Sequence, residues 1–254
     1  MAFKIAYGAG HNNKTANGIP LELCSPKVNE WQLNDKVARY FAQAAMQYEG
    51  VELLRVDDPQ GIQPVDLAGR CIMANNWDAD FFLAIHHNGF QGIPWNGGGL
   101  VAFSYPGSTK GAIYRDAIYE ACIAAGGIVG DRATPKATAN FQVLRETNAP
   151  AVLMEYGFMD SRVDAPIILT DAYAKSMAYA TMEGIAKIAG LKKKAVQEEV
   201  KPEETMPEQA AELVDAVYRV QLGDFHDPED AKALLEQVRA AGFEASITVQ
   251  GVLA

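Results

Sequence analysis

The feature that most constrains the fold is an unbroken apolar run, Phe81 to Ile85, which Asp80 precedes and His86 follows. A run of this length without polar alternation is typical of a strand that is buried on both faces. Short apolar segments and segments with helical periodicity alternate on either side of it. This alternation predicts an α/β fold in which a mostly parallel central sheet is flanked by helices.

The periodicity predicts the following elements of the sheet and its helical cover. Strands are expected at Phe3–Tyr7, Val51–Val56, Asp80–His86, Gly98–Tyr105 and Ala151–Met154. Helices are expected at Asn29–Tyr48, Pro64–Asn76, Ala112–Ala125 and Asp171–Ile188. In the helix over 64–76 we expect Leu67, Ile72 and Met73 to face the core.

Composition changes sharply after this region. Residues 191–212 are rich in Lys, Glu and Pro and almost free of large apolar residues, as in a charged linker. Residues 213–254 again carry strand, helix and strand patterns, with Asp227–Pro228 at the helix start and Gly242 at its end. We therefore expect a domain over 1–190, a linker over 191–212 and a small βαβ module over 213–254.

Charge and sequence ends narrow the classes of function. A net charge of −10 and a pI near 4.9 argue against a nucleic-acid partner, which requires a basic face. No apolar run approaches the ~20 residues of a membrane helix, and MAFKIAYGAG does not resemble a secretory signal. Cys24, Cys71 and Cys122 form no CxxC pair, which indicates free thiols in a reducing compartment. These features predict a protein made in a cytosol.

Titratable residues follow the ends of three predicted strands. His11 follows the first strand, His86 closes the apolar strand, and Glu155 follows Ala151–Met154. Functional groups gather at the carboxyl ends of strands in open α/β sheets. Two His and one Glu with an open position form a catalytic zinc site, and a second Glu can then act as base. Glu22 and Glu30 are the candidates for the ligand carboxylate, and the helical setting favours Glu30.

Two further questions concern residues near these strand ends. His86 and His87 are adjacent, so in a continuous strand they face opposite sides and at most one joins His11. His87 is the ligand instead if the strand ends one residue earlier. Asn88 and Arg145 are candidate substrate contacts, although Asn88 can equally cap the strand and Arg145 can form a structural ion pair.

Several motifs resemble a known family, the zinc amidases of the Amidase_3 type found in bacterial autolysins and phage endolysins. They are GAGHNN at 8–13, Glu30 with the following WQLNDKVARYF, LAGRCIMANNWDADFFLAIHHN at 67–88, and FQVLRETNAPAVLMEYGFMDSRVDAPIIL at 141–169. The resemblance covers nearly all of residues 1–190.

The resemblance implies a zinc ion bound by His11, Glu30 and His86, with Glu155 as the catalytic carboxylate. It implies hydrolysis of the amide bond between N-acetylmuramic acid and L-alanine in peptidoglycan by a zinc-activated water. A zinc hydrolase of the carboxypeptidase type is an alternative, but no arginine is assigned to its terminal carboxylate. A non-catalytic peptidoglycan-binding protein would be favoured by the loss of a ligand or of Glu155, and none is lost.

The C-terminal segment YRVQLGDFHDPEDAKALLEQVRAAGFEASIT resembles one half of a sporulation-related repeat (SPOR) domain, which binds peptidoglycan. Because the usual domain has two such halves, we expect a homodimer paired through this module. The family and the start of the chain together suggest a phage endolysin that acts on the cell wall after release from the host cytoplasm. A mother-cell lytic enzyme is the alternative.

Overall fold

The computed structural model describes residues 2–194 and, further along, the helical residues Lys232 and Leu235. Residues 2–194 fall within one compact unit. The expected linker and C-terminal module lie almost entirely outside the described residues, and so does the surface expected to pair two copies. In the described part, no helix is long and apolar enough to cross a membrane.

The described part of the chain contains one sheet of six strands in the order β2-β1-β3-β6-β4-β5. The strands are β1 (Phe3–Ala9), β2 (Val51–Arg55), β3 (Phe81–Asn88), β4 (Val101–Ser104), β5 (Lys136–Thr138) and β6 (Ala151–Phe158). Every neighbouring pair is parallel except β4 and β6. The predicted mostly parallel sheet is therefore confirmed.

Helices cover both faces of this sheet. They are α1 (Glu30–Ala45), α2 (Leu67–Asn76), α3 (Thr109–Ala124), α4 (Gln142–Arg145), α5 (Ala165–Ile168) and α6 (Asp171–Ala189). The four longer helices were predicted within a few residues of their ends. β5, α4 and α5 were not predicted, because three or four residues are too few to show a periodic pattern.

Two apolar cores lie on opposite faces of the sheet, and β3 contributes to both by strand alternation. Phe81, Leu83 and Ile85 join the larger core with α1, α3 and α6. Phe82 and Ala84 join the smaller core with residues of α2 and α4. This two-sided burial accounts for the unbroken apolar run in the sequence.

The inward face of α2 differs from the prediction. Leu67, Ile72 and Met73 are 48%, 56% and 37% exposed, whereas Arg70 and Cys71 are buried. Relative to the predicted orientation, α2 is rotated about its axis. The Arg70 guanidinium points inward and donates hydrogen bonds to backbone carbonyls. The expectation that Leu67, Ile72 and Met73 face the core was therefore wrong.

The strand β6 is longer than predicted. It continues to Phe158, so Glu155 lies within the strand and not directly after it. In the sheet, Glu155 is the register partner of His86 on the adjacent strand β3. The two side chains therefore stand side by side near the carboxyl ends of parallel strands.

Candidate metal centre

Three potential ligands converge at the carboxyl edge of the sheet. His11 lies two residues past β1, Glu30 is the first residue of α1, and His86 lies on β3. Their ligand atoms all lie within 4.8 Å of one another. Glu30 Oε2 is 2.9 Å from His11 Nε2, and Glu30 Oε1 is 2.9 Å from His86 Nδ1. The carboxylate thus stands between the two imidazoles.

Local sequence places Glu30 at this position. The side chain of Asn29 accepts a hydrogen bond from the Gln32 backbone, and the Gln32 side chain accepts one from the Asn29 backbone. This reciprocal capping box starts the helix at Glu30 and directs that residue toward the sheet edge. The alternative candidate, Glu22, is exposed in a turn and does not join the cluster.

The buried carboxylate of Glu30 is ionised, which favours a cation beside it. The residue is only 3% exposed, and this burial opposes ionisation. Hydrogen bonds from His11 and His86 outweigh that effect and hold the pKa of Glu30 below its ordinary value. A buried carboxylate between two imidazoles is a donor set that suits a divalent metal ion. The residues present therefore fit a metal.

The turn that carries His11 requires a glycine before it. His11 itself has a left-handed backbone, with φ +65°. A Cβ atom built on Gly10 would overlap the imidazole ring of His86. Because Gly10 has no side chain, the rings of His11 and His86 can approach to 5.3 Å between their centroids.

Two buried charged residues hold the same turn, and neither was predicted from the sequence. Arg70 donates from Nη1 to the Ala9 carbonyl at 2.6 Å and from Nη2 to the His11 carbonyl at 3.0 Å. Asp57 accepts a hydrogen bond from the Ala9 backbone N–H at 3.1 Å and is paired with Arg55. The left-handed conformation at His11 is thus stabilised by partners far away in sequence.

Glu155 provides a second carboxyl group beside the cluster. Its Oε2 atom is buried, and no described residue hydrogen bonds to it. Burial, and then the charge of Glu30, raise the pKa of Glu155 well above its ordinary value. A carboxylate in such a setting has an increased affinity for a proton, as a general base requires.

The structure brings His86 to the cluster, while His87 faces the other side of the sheet. His87 is 2% exposed, and its Nδ1 atom lies 2.8 Å from Asn34 Oδ1. Burial lowers the pKa of His87 to about 3, so this imidazole is neutral in the folded protein at neutral pH. The strand does not end early, as the alternative assignment of His87 required.

The two candidate substrate contacts have different positions. Asn88 is the last residue of β3, two residues past His86, and its Oδ1 atom accepts the Gly89 N–H at 2.9 Å. Arg145 ends α4 and lines a surface depression with Asn148 and Pro150, beside the amino end of β6. It hydrogen bonds to Asn140 and is not brought to the cluster.

Comparison with known proteins agrees with this architecture. Residues 5–187 match the family model described as N-acetylmuramoyl-L-alanine amidase, as the motif resemblance predicted. Residues 209–251 match the SPOR domain model. The solved structures of an N-acetylmuramoyl-L-alanine amidase from Clostridium difficile and of the CwlV catalytic domain from Bacillus (Paenibacillus) polymyxa have TM-scores of 0.65 and 0.64. They are 20% and 23% identical, cover 74% and 75% of this chain, and match over 97% and 99% of their own lengths, which shows a shared fold.

Curated relatives are closer in sequence. The chain is 34% identical over 204 residues to the N-acetylmuramoyl-L-alanine amidase CwlM of Bacillus licheniformis, covering 79% of this chain and 68% of that protein. It is 34% identical over 207 residues to a sporulation-specific N-acetylmuramoyl-L-alanine amidase of Bacillus subtilis, covering 80% of this chain and 69% of that protein. An endolysin of Bacillus phage SPP1 is 32% identical over 137 residues, covering 51% of this chain and 48% of the endolysin.

Proposed function

The chain belongs to the N-acetylmuramoyl-L-alanine amidase family, and from this premise we propose that His11, Glu30 and His86 hold a zinc ion used to hydrolyse peptidoglycan. The bond cleaved is the amide between N-acetylmuramic acid and L-alanine. The observation that carries the zinc proposal is the convergence of two imidazoles on one buried carboxylate. Three protein ligands of these types with an open fourth position are the usual arrangement of a catalytic zinc site.

The chemistry divides between the metal and Glu155. When bound, zinc supplies a Lewis acid that lowers the pKa of water and polarises a carbonyl oxygen. We propose that Glu155 accepts a proton from the attacking water at Oε2, the atom to which no described residue hydrogen bonds. The water oxygen bonds to the lactyl carbonyl carbon, the C–N bond breaks, and Glu155 delivers the proton to the leaving nitrogen of L-alanine.

Of the two candidate substrate contacts, only Asn88 lies at the carboxyl edge of the sheet. Asn88 lies on the same strand as His86 and at the same edge of the sheet, which supports a contact with the substrate. Arg145 lies beside the amino end of β6, at the opposite end of that strand from Phe158. We therefore propose no substrate contact for Arg145.

Metal removal and ligand substitution test this function. Dialysis of the full chain against a chelator should abolish the release of new α-amino groups on L-alanine from purified cell walls, and zinc should restore it. Glu30→Gln should lose zinc and activity, whereas the matched Glu22→Gln change should retain both. Full activity of a metal-free preparation would contradict the proposal. Release of free amino acids in place of new L-alanine termini would favour a carboxypeptidase.

The C-terminal region supports a second part of the proposal. The SPOR match over residues 209–251 supports a wall-binding module at 213–254, joined through a linker at 191–212 to the catalytic domain at 1–190. We also propose that two copies pair through this module, since it carries the pattern of a single βαβ half. Sedimentation of the full chain tests this, because a monomer at micromolar concentration contradicts pairing.

The biological setting is proposed from the relatives. Similarity to the phage SPP1 endolysin supports an enzyme that accumulates in a host cytoplasm and reaches the wall after release. Similarity to the sporulation-specific amidase supports a mother-cell enzyme as the alternative. Expression inside a susceptible bacterium tests whether the enzyme reaches the wall only after release from the cytoplasm. An endolysin should leave the cells intact until the membrane is permeabilised, and lysis should then follow at once.

A further inference from the structure

Asn34 is a fully buried amide with three hydrogen-bonding partners at the candidate metal centre. It is 0% exposed and lies one helical turn after Glu30. Its Nδ2 group donates to the Gly10 carbonyl at 3.2 Å and to Glu30 Oε1 at 3.3 Å. Its Oδ1 atom lies 2.8 Å from His87 Nδ1. Both hydrogens and the oxygen of this amide are therefore used.

These three partners belong to the three segments that carry the proposed ligands. Gly10 directly precedes His11, and His87 directly follows His86. The third partner is the ligand Glu30 itself. One buried side chain thus connects all three ligand-bearing segments of the fold, none of which is continuous with another in sequence.

The Gly10 carbonyl and the Glu30 carboxylate only accept hydrogen bonds, so they determine which way the amide of Asn34 points. An amide oxygen only accepts, so the hydrogen shared by the two side chains belongs to His87 Nδ1. If the amide were reversed, its oxygen would face the Gly10 carbonyl and the Glu30 carboxylate, which are acceptors themselves. With the amide in this orientation, the hydrogen bond from His87 Nδ1 to Asn34 Oδ1 stabilises it and supports the contacts of Asn34 with Gly10 and Glu30.

We propose that Asn34 and His87 form a positioning pair that holds the three proposed ligands in a geometry ready for the metal. The inference rests on the proposed zinc site and extends it to residues that do not touch the metal. Groups that hydrogen bond to metal ligands orient them, and their loss typically weakens metal binding by about 10- to 100-fold. Both side chains are buried, so solvent water does not replace the lost hydrogen bond.

Two nearly isosteric substitutions at His87 separate positioning from packing. In the full chain, His87→Asn keeps an N–H donor close to the place of Nδ1, and His87→Leu removes it at similar volume. The zinc dissociation constant is measured by competition with a chromophoric chelator. Thermal unfolding of the metal-free proteins is measured in parallel. We expect the Leu variant to bind zinc at least tenfold more weakly than the Asn variant, at a temperature at which the unfolding curves show both metal-free variants to be folded.

The outcomes separate this inference from the proposed function. If the parent chain binds zinc and the two variants differ by less than tenfold, the positioning role is overturned while the zinc site stands. If the parent chain itself binds no zinc, both fail. Should His87→Leu not fold, His87→Phe offers a ring without a donor in the same pocket beside Tyr156, and the same tenfold criterion against His87→Asn applies.

Discussion

At the scale of single residues, the candidate site contains two glutamates with opposite electrostatic environments, the buried Glu30 and the half-buried Glu155. Burial opposes the charge of Glu30, but hydrogen bonds from two imidazoles lower its pKa and keep it ionised. Among the described residues Glu155 has no such partners, and burial together with the charge of Glu30 raises its pKa. One carboxylate is thereby suited to binding a cation and the other to moving a proton.

The first prediction follows from this difference. Glu155→Gln should retain zinc and the fold but lower turnover by about 10²- to 10⁴-fold, because the amide has the same size and cannot accept the proton. Zinc content, thermal unfolding and cell-wall hydrolysis are measured together. Glu52→Gln, at an exposed position of β2, serves as the control and should behave as the parent. Activity of the Glu155 variant within a few-fold of the parent would remove Glu155 from the mechanism.

At the scale of elements, the turn after β1 depends on α2 through Arg70. The second prediction is that Arg70→Met leaves the buried carbonyl of Ala9 and the partly buried carbonyl of His11 without their Arg70 donors. This should lower the free energy of unfolding of the metal-free protein by about 1–3 kcal/mol and weaken zinc binding. Arg70→Lys, which keeps one charged donor, should fall between the parent and the Met variant. Urea unfolding and zinc titration measure the two effects. A Met variant equal to the parent in both would contradict the role of Arg70 in holding the turn.

The packing of α3 against α6 gives the third prediction. A Cβ on Gly184 would lie 2.6 Å from Ile118 Cα and 2.9 Å from the Ala117 carbonyl oxygen, and neither backbone atom can move away easily. We expect Gly184→Ala to destabilise the fold by about 1–3 kcal/mol, since overpacking exceeds the gain in helix propensity. Lys187→Ala, on the exposed side of the same helix, is the control in urea unfolding. Greater stability of the Gly184 variant would show that the two helices separate readily.

The sequence was informative where an element is long and periodic. β3 and α6 were recognised from their apolar patterns, and the polar residues at the ends of β1 and β3 indicated the edge at which the cluster forms. The inward face of α2 was not predicted, because Arg70 is buried for hydrogen bonding and hydrophobicity suggests the opposite. The antiparallel pairing of β4 with β6 also carries no signal in the pattern of either strand.

The supporting residues of the site could not be predicted for a related reason. Asp57 and Arg70 contact the turn at residues 9–11 across 48 to 61 positions of sequence. Periodicity describes neighbours along one helix or strand, and it contains nothing about contacts between elements so far apart. Asn34 was read only as part of a helix, although its side chain joins three segments around the candidate site.

At the scale of the whole molecule, the parallel order of β1, β3 and β6 brings the site together. These strands are adjacent in the sheet and point the same way, so their carboxyl ends deliver His11, His86 and Glu155 to one edge. The helix α1 then adds Glu30 from its first turn. The proposed metal ligands and the proposed catalytic carboxylate thus all come from residues 11–155, within the region that matches the amidase family.

The last prediction concerns how the enzyme stays on its substrate. The chain has a net charge of −10, so electrostatic attraction does not explain binding to a wall that carries anionic polymers. The SPOR match at residues 209–251 offers a separate means of attachment, and residues 2–194 contain their own apolar cores.

A protein ending at residue 194 should therefore cleave soluble muropeptides with an unchanged kcat/KM but remain in the supernatant when walls are pelleted. The full chain should sediment with the walls, also in the Glu155→Gln form, which holds the substrate without cutting it. If the shortened protein sediments as fully as the full chain, the catalytic domain itself carries the wall affinity and the C-terminal region serves another purpose.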